Sequence, residues 1–141
     1  MANLFVYGSL MDADIFYEIT HLRPVGYPAI LSGFIRFKVV GESYPAVVEK
    51  ELSSVEGLLY RDISESTFAL LDQFEGEEYD RVSVDVTIEG KNESADLYRY
   101  KSEFYQKLGS ELWDIKLFYS QREQFLSVCR NSSFVNSKNS M

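Results

Sequence analysis

Close to its start the chain has an unbroken apolar run over residues 4–7, which ends at Gly8 and Ser9. The run is much too short to cross a membrane and is rich in strand-forming side chains. Because such runs are typical of strands buried on both faces, we predict a strand at the centre of a sheet. Glycine allows a sharp turn and a close approach, so successive N–H groups of this loop could converge on one anion or carbonyl oxygen. Gly-Ser after a strand is also an ordinary turn, and this stretch alone leaves both interpretations open.

Composition and charge narrow the classes of function. The formal net charge of −8 argues against binding to a phosphate backbone, which needs clustered Lys and Arg. One Cys and one His cannot form a Cys/His zinc site, so we expect no metal. No apolar stretch approaches the ~20 residues of a membrane span, and no signal-peptide pattern is visible at the N-terminus. We therefore expect a cytoplasmic protein with a small-molecule partner, no nucleic acid and no membrane contact; Cys129 alone fits a reducing compartment.

The length of 141 residues, 45% of them hydrophobic, predicts one globular domain with a substantial core. We place this domain at residues 1–130. The Asn- and Ser-rich segment 131–141 is predicted to be a disordered tail. The sequence leaves the oligomeric state open.

Periodicity predicts a short helix followed by several strands. Pro45 cannot donate to a strand ladder, so it should begin its strand or lie on an edge. Gly57 is expected to mark a bulge or a close backbone approach. Trp113 is predicted to lie in the core at the start of a C-terminal amphipathic helix. The predicted helices are 12–22 and 115–129, and the predicted strands are 33–40, 44–48, 55–61, 81–89 and 94–100.

A further helix is predicted between the third and fourth of these strands. Asp62 precedes Glu65 by three residues, which resembles a capping box, and Gly76 supplies a stop. The apolar residues at helical spacing are Phe68, Leu70, Leu71 and Phe74. Together with the strands, the three predicted helices indicate a compact, mostly antiparallel sheet or small barrel covered by helices.

Glu75 lies on the apolar side of this helix. At ~100° per residue it falls between Phe68 and Leu71 on the helical wheel. Burial and the negative end of a helix both raise the pKa of a carboxyl group, so such a residue would be a competent general base near neutral pH.

Three structural interpretations of Glu75 stand beside the catalytic one. The carboxylate could pair with Arg81, or it could accept a hydrogen bond from Tyr79. It could also belong, with Glu77 and Glu78, to a solvated acidic turn. Carboxylates with perturbed pKa values often have a structural role, so the pattern alone does not decide between these interpretations.

Four short motifs follow one another along the chain. They are Phe-Val-Tyr-Gly-Ser-Leu at 5–10, Tyr-Pro-Ala-Val at 44–47, Gly-Leu-Leu-Tyr at 57–60, and Leu-Asp-Gln-Phe-Glu-Gly at 71–76, after which come Tyr79 and Arg81. In this order and spacing the set resembles the γ-glutamylcyclotransferase-like superfamily, in particular its avirulence-induced plant-type branch and bacterial relatives. The resemblance extends over residues 3–129.

The resemblance implies an α+β fold, a small mixed and mostly antiparallel β-barrel flanked by helices. It also implies a substrate cavity at the mouth of the barrel and an acyltransferase of the aminoacyl-transfer type that needs no cofactor. Arg81 is expected to shape or neutralise the site, or to be structural. The residues that the resemblance implies are Glu75 as the catalytic residue, and Tyr7, Gly8, Ser9, Leu10 and Tyr79 as substrate-binding residues.

The implied reaction is intramolecular. The α-amine of a γ-glutamyl compound attacks its own γ-carbonyl carbon, which releases 5-oxoproline and the amine formerly in amide linkage. Glu75 would accept the proton that the amine loses, and backbone N–H groups around Gly8, Ser9 and Leu10 would hold the substrate carboxylate or the developing oxyanion.

The motifs depart from two branches of the superfamily. Enzymes that act on free γ-glutamyl amino acids carry Asn where this chain has Leu10, and the branch that acts on γ-glutamylamines carries Thr in place of Ser9.

Two other classes of function therefore remain open: a non-catalytic module that binds a small metabolite, and a protein-interaction domain that uses its acidic surface. A cavity beneath Tyr7 would disfavour the interaction domain, and a base on an apolar helix face would favour the enzyme.

Overall fold

Six strands and two α-helices make up most of residues 2–41 and 44–113, which the computed structural model describes. The predicted C-terminal helix at 115–129 and the predicted tail at 131–141 lie outside these residues. Two short 3₁₀ helices, Ser9–Met11 and Ser102–Lys107, complete the described elements. The strands are β1 (Ala2–Val6), β2 (Gly26–Val39), β3 (Pro45–Ile63), β4 (Tyr79–Ile88), β5 (Lys91–Tyr100) and β6 (Leu108–Leu112), and the α-helices are α1 (Ala13–Thr20) and α2 (Glu65–Glu75).

The first strand lies inside the sheet, as its apolar run predicts. It pairs antiparallel with β3 and parallel with β5. Leu4, Phe5 and Val6 are each at most 2% exposed. Leu4 and Val6 belong to one hydrophobic cluster with the two helices, while Phe5 belongs to a second cluster with β2, β4 and β5. Because successive side chains point to opposite faces, β1 supplies both clusters.

The strand order is β3-β1-β5-β4-β2-β6, and β2 also pairs with β3. The pairings of β1 to β5 therefore form a closed circuit, in which β2 and β4 meet at the single pair Ile30↔Thr87. In the described part of the chain only the β1–β5 pairing is parallel. The predicted α+β class with a mostly antiparallel sheet is confirmed. The edge strand β6, which pairs with β2, was not predicted.

The predicted strands at 44–48 and 55–61 are wrong as separate elements, because both pair with β2 and form the one long strand β3. The register shifts between Ser32 and Phe34, which face Ser54 and Glu49 respectively. Residues 50–53 are the extra residues at this irregularity. Pro45 is the first residue of β3, so the expectation of a strand start is confirmed.

The predicted cap of α2 is also wrong, because Ser64 and not Asp62 caps the helix. The Ser64 hydroxyl oxygen accepts a hydrogen bond from the Thr67 N–H at 3.2 Å. An N-cap needs an extended backbone. Ser64 has one, with φ −76° and ψ 159°, whereas Asp62 lies in the left-handed region at φ 58°.

The predicted apolar face of α2 is buried through Phe68, Leu71 and Phe74. The helix ends at Gly76 as expected, with φ 78°. The predicted helix at 12–22 is shorter in the structure, since α1 ends at Thr20 and Leu22 is 46% exposed.

The β4–β5 hairpin follows the predicted alternation. Val86 is buried, and the other aliphatic residues of that face pack against the second hydrophobic cluster; they are Val82, Val84 and Ile88. The hairpin turns at Glu89 and Gly90, both with positive φ, which is the backbone that tight hairpin turns require.

Gly57 marks a close approach between β3 and β1. A Cβ atom at this position would collide with the Val6 carbonyl oxygen and come within 2.7 Å of the Phe5 ring. The predicted close approach is therefore confirmed, and β3 can pack against the central strand only because residue 57 lacks a side chain.

Gly57→Ala should destabilise the fold by about 1–3 kcal/mol, the usual cost of overpacking. Gly109→Ala is the control, because a Cβ there would lie 3.3 Å from a Val40 side-chain methyl and 3.9 Å from the Glu111 backbone nitrogen. The free energy of unfolding from urea denaturation measures both variants. Equal values for the two would contradict the close packing of β1 and β3.

Candidate active site

One cavity lies where β1 ends, beside the last turn of α2. All six residues predicted for the site line it; they are Tyr7, Gly8, Ser9, Leu10, Glu75 and Tyr79. The lining also contains residues that were not predicted for the site, among them Tyr44, Pro45 and Tyr98. The presence of a cavity beneath Tyr7 disfavours the protein-interaction domain as the explanation of this region.

The loop after β1 turns at once into the first 3₁₀ helix. The Met11 N–H donates to the Gly8 carbonyl at 2.9 Å and the Asp12 N–H to the Ser9 carbonyl at 3.0 Å. The amides of Ser9 and Leu10 therefore precede the first helical hydrogen bond, as amides at a helix start do. A Cβ atom on Gly8 would lie 2.7 Å from the Pro45 ring, so the loop packs directly on the start of β3.

Glu75 is the last residue of α2. It lies in the cavity wall and is half-buried, because the buried residues Phe68, Leu71 and Phe74 fix the face of the helix that turns inwards. Glu77, in contrast, is exposed. The position of Glu75 in a cavity wall therefore disfavours its interpretation as part of a solvated acidic turn.

The two proposed structural partners of Glu75 have other partners in the structure. Arg81 forms ion pairs with Asp72 at 3.2 Å and with Asp96 at 3.1 Å. The Tyr79 hydroxyl donates to the Pro45 carbonyl oxygen at 2.8 Å. Arg81 therefore does not neutralise the site by pairing with Glu75; its ion pairs connect α2 to β5.

Three tyrosines of the cavity wall have their hydroxyl protons engaged by the protein. The Tyr7 hydroxyl donates to the Tyr98 carbonyl at 2.5 Å, the Tyr98 hydroxyl to Asp72 Oδ1 at 2.6 Å, and the Tyr79 hydroxyl to the Pro45 carbonyl. A tyrosine hydroxyl has one proton to donate. None of the three is thus a ready proton donor for a ligand.

The pKa values of these tyrosines are all raised. Burial is the main cause for Tyr7, Tyr79 and Tyr98, and the charge of Glu75 raises the pKa of each one further. The three phenols consequently stay neutral at physiological pH. Among the described lining residues Glu75 carries the one carboxyl group, so it is the candidate proton acceptor.

The cavity measures about 30 Å³. This volume suits ordered water and is far below the ~300 Å³ at the lower end of small-molecule pockets. A ligand of more than a few atoms therefore has to extend into the mouth of the cavity or displace a lining side chain.

Within residues 2–41 and 44–113 no group of three or more His, Cys, Asp or Glu is arranged to hold a metal ion. No helix of that part of the chain combines the length and the apolar character needed to cross a membrane.

The fold and the cavity together define a protein of the γ-glutamylcyclotransferase-like type. The family model described as gamma-glutamyl cyclotransferase, AIG2-like, matches residues 4–115, and the chain belongs to this family. The match includes all six predicted site residues.

Individual relatives agree with this assignment. The AIG2-like protein C of Arabidopsis thaliana is 34% identical over 131 residues, which cover 91% of this chain and 76% of that protein. The AIG2-like protein A of Arabidopsis thaliana is 35% identical over 98 residues, which cover 70% of this chain and 59% of that protein.

Solved structures show the same fold. A solution structure of an Arabidopsis thaliana protein superposes with a TM-score of 0.71 at 26% identity and covers 93% of each chain. A structure titled gamma-glutamyl cyclotransferase gives a TM-score of 0.62 at 18% identity and covers 71% of this chain and 66% of that one. The latter likeness concerns the fold alone.

The raised pKa values predict a loss of stability at alkaline pH. Tyr7, Tyr79 and Tyr98 hold their protons in the folded state above the ordinary pKa of about 10, so the unfolded chain releases them first. Stability is fully present below about pH 10 and falls as the pH rises towards the folded pKa values, by about 1.4 kcal/mol per pH unit for each tyrosine.

Urea denaturation between about pH 8 and pH 11 measures this dependence. Tyr79→Phe removes one titrating group and keeps the ring, so its stability should be lower at neutral pH but fall less steeply above pH ~10. Parallel curves for this variant and the natural protein would show that Tyr79 is not protected from ionisation.

Proposed function

We propose that the protein is a γ-glutamyl cyclotransferase, which converts a γ-glutamyl amine or γ-glutamyl amino compound to 5-oxoproline and the free amine. The observation that carries this proposal is the common cavity of Glu75 and residues 7–10 in a chain of this family. Either feature by itself has a structural explanation. A reaction between an amine and a carbonyl group needs both a base and hydrogen-bond donors in one cavity.

Glu75 is the general base in this proposal. The substrate's α-nitrogen forms a bond to its own γ-carbonyl carbon and loses one proton to Glu75. The bond from that carbon to the leaving nitrogen then breaks, and the proton passes from Glu75 to the leaving amine. The protons balance in this reaction without a metal or a redox partner. A suitably placed base raises the rate about 10²- to 10⁴-fold.

The loop after β1 is the proposed anion site. The backbone N–H groups of Ser9 and Leu10 would donate to the substrate carboxylate or to the oxyanion that develops on the γ-carbonyl. Leu10 is 4% exposed and apolar, so we assign this role to its backbone and not to its side chain.

Ring closure also requires a folded substrate. Tyr7, Tyr79 and Tyr98 have their hydroxyl protons engaged within the protein, so they would present mainly ring surface to a ligand. Firm walls of this kind favour a bent glutamyl chain over the extended one. Holding the two reacting atoms together supplies much of the acceleration in intramolecular reactions.

The second candidate is a module that binds a small metabolite at the same cavity without turning it over. A panel of γ-glutamyl amino acids, γ-glutamylamines and glutathione separates the two candidates. 5-Oxoproline, measured by mass spectrometry, should form from at least one class of compound. Binding in calorimetry without 5-oxoproline from any of them would favour the second candidate.

Glu75→Gln keeps the volume of the side chain and abolishes the base. We expect turnover to fall by about 10²- to 10⁴-fold with a much smaller change in KM. Glu77→Gln is the matched control, because it makes the same chemical change at an exposed residue of the same segment. Steady-state kinetics of both variants give the comparison.

Stability gives an independent test of the same variant. Arg81 keeps both of its carboxylate partners in Glu75→Gln. The loss of ~3–5 kcal/mol that would follow the breaking of a buried ion pair between Glu75 and Arg81 is therefore not expected. Full activity together with such a loss would make Glu75 a structural residue.

Two variants of Ser9 test the anion site. Ser9→Pro removes the backbone N–H, whereas Ser9→Ala removes only the hydroxyl group. The proline variant should lose far more activity than the alanine variant if the backbone is the donor. Circular dichroism confirms that both are folded, and equal activities would assign the donor role elsewhere.

A further inference from the structure

A continuous set of polar contacts joins the helix that carries Glu75 to strand β5. The Tyr98 hydroxyl donates to Asp72 Oδ1 at 2.6 Å. The same Asp72 oxygen lies 3.2 Å from Arg81 Nε, and Arg81 Nη1 lies 3.1 Å from Asp96 Oδ2. The guanidinium also lies over the Phe68 ring at 4.2 Å. α2 is thus fixed to the hairpin by polar contacts as well as by its apolar face.

Asp72 is an unfavourable residue at its position unless it has partners. It lies in the last turn of α2, where its carbonyl accepts the closing hydrogen bond from the Gly76 N–H at 3.1 Å. The negative end of the helix destabilises an acid there, and Glu75, three residues on, adds a like charge on the neighbouring helix surface. Tyr98 and Arg81 supply the donors that offset both effects.

Tyr98 contacts both sides of the candidate site. Its hydroxyl group bonds to Asp72, one turn before Glu75, and its carbonyl oxygen accepts the hydroxyl proton of Tyr7 at 2.5 Å. Tyr7 leads into the loop of Ser9 and Leu10. A single residue of β5 therefore touches the helix end that bears the proposed base and the strand end that bears the proposed anion site.

We propose that Tyr98 and Asp72 are positioning residues, which hold the last turn of α2, and with it Glu75, at a fixed distance from the loop after β1. Arg81 holds Asp72 in place for this contact. The inference rests on the proposed function for its effect on turnover, while its effect on the position of Glu75 is independent of it.

Tyr98→Phe removes only the hydroxyl group and leaves the ring in the cavity wall. We expect kcat to fall about tenfold with KM within about twofold, because small misplacements of a catalytic group cost rate more than affinity.

Tyr100→Phe is a closely matched control. Tyr100 lies on the same strand, and its hydroxyl donates to a carboxylate, Glu78 Oε1, at 2.9 Å. In Tyr100→Phe, Glu78 still has its ion pair with Lys107, just as Asp72 still has its ion pair with Arg81 in Tyr98→Phe. The two variants should lower the melting temperature similarly, and only Tyr98→Phe should lower kcat. Equal kcat values for the two variants would overturn the proposal.

A double-mutant cycle shows whether Tyr98 and Asp72 affect kcat through their mutual contact or independently of each other. Asp72→Ala should lower kcat as well. In its background Tyr98→Phe should change kcat by less than about twofold, because the contact is already lost. Additive losses would show that Tyr98 acts by another route.

The carboxyl ¹³C resonance of Glu75, assigned by its absence in Glu75→Gln, gives a readout without turnover. It should shift in Tyr98→Phe and stay unchanged in Tyr100→Phe. If the natural protein forms no 5-oxoproline, the proposed function fails while this measurement still tests the positioning. An unchanged resonance in Tyr98→Phe would overturn the positioning role, whatever the activity.

Discussion

The packing of β3 against the central strand β1 is the contact on which the rest of the structure depends. It requires a residue without a side chain at Gly57, because the Val6 carbonyl and the Phe5 ring occupy the space a Cβ would need. With β3 on one side and β5 on the other, β1 is buried on both faces. The neighbouring strands therefore hold the end of β1 in place, and with it the start of the loop at Tyr7.

The helix α2 brings the second half of the site to the same place. Its apolar residues Phe68, Leu71 and Phe74 determine which face is buried, but an apolar stripe permits small rotations and sliding. The ion pairs of Arg81 and the hydroxyl of Tyr98 are directional. The proton transfer that we propose needs hydrogen-bond distance, so the directional contacts would matter more for the position of Glu75 than for stability.

The sequence predicted the parts of the fold and site that depend on local patterns. The burial of β1 follows from its apolar run, and the inward position of Glu75 follows from helical spacing. The predicted cap of α2 was wrong because Asp62 still belongs to β3, which ends at Ile63, and Ser64 is the first residue after that strand.

Tyr98 shows why the remaining contacts could not be predicted. It and Tyr100 lie on the same face of one strand and look equivalent in the sequence. The register of β4 against β5 and the docking of α2 bring Tyr98 to Asp72 and Tyr100 to Glu78. The two hydroxyl contacts join residues that are 26 and 22 positions apart in the sequence, and hydrophobic periodicity carries no information about such contacts.

The neutral tyrosines have a consequence for the chemistry that this cavity can support. Burial raises the pKa of Tyr7, Tyr79 and Tyr98, and the charge of Glu75 raises each further, which by reciprocity means that a phenolate beside Glu75 would be costly. The wall therefore resists taking a second negative charge. In the proposed reaction, a substrate amine that gives its proton to Glu75 would neutralise that charge and would leave the loop amides as the site where new negative charge develops. The proposed base and the proposed anion site would thereby be kept electrostatically distinct within one small cavity.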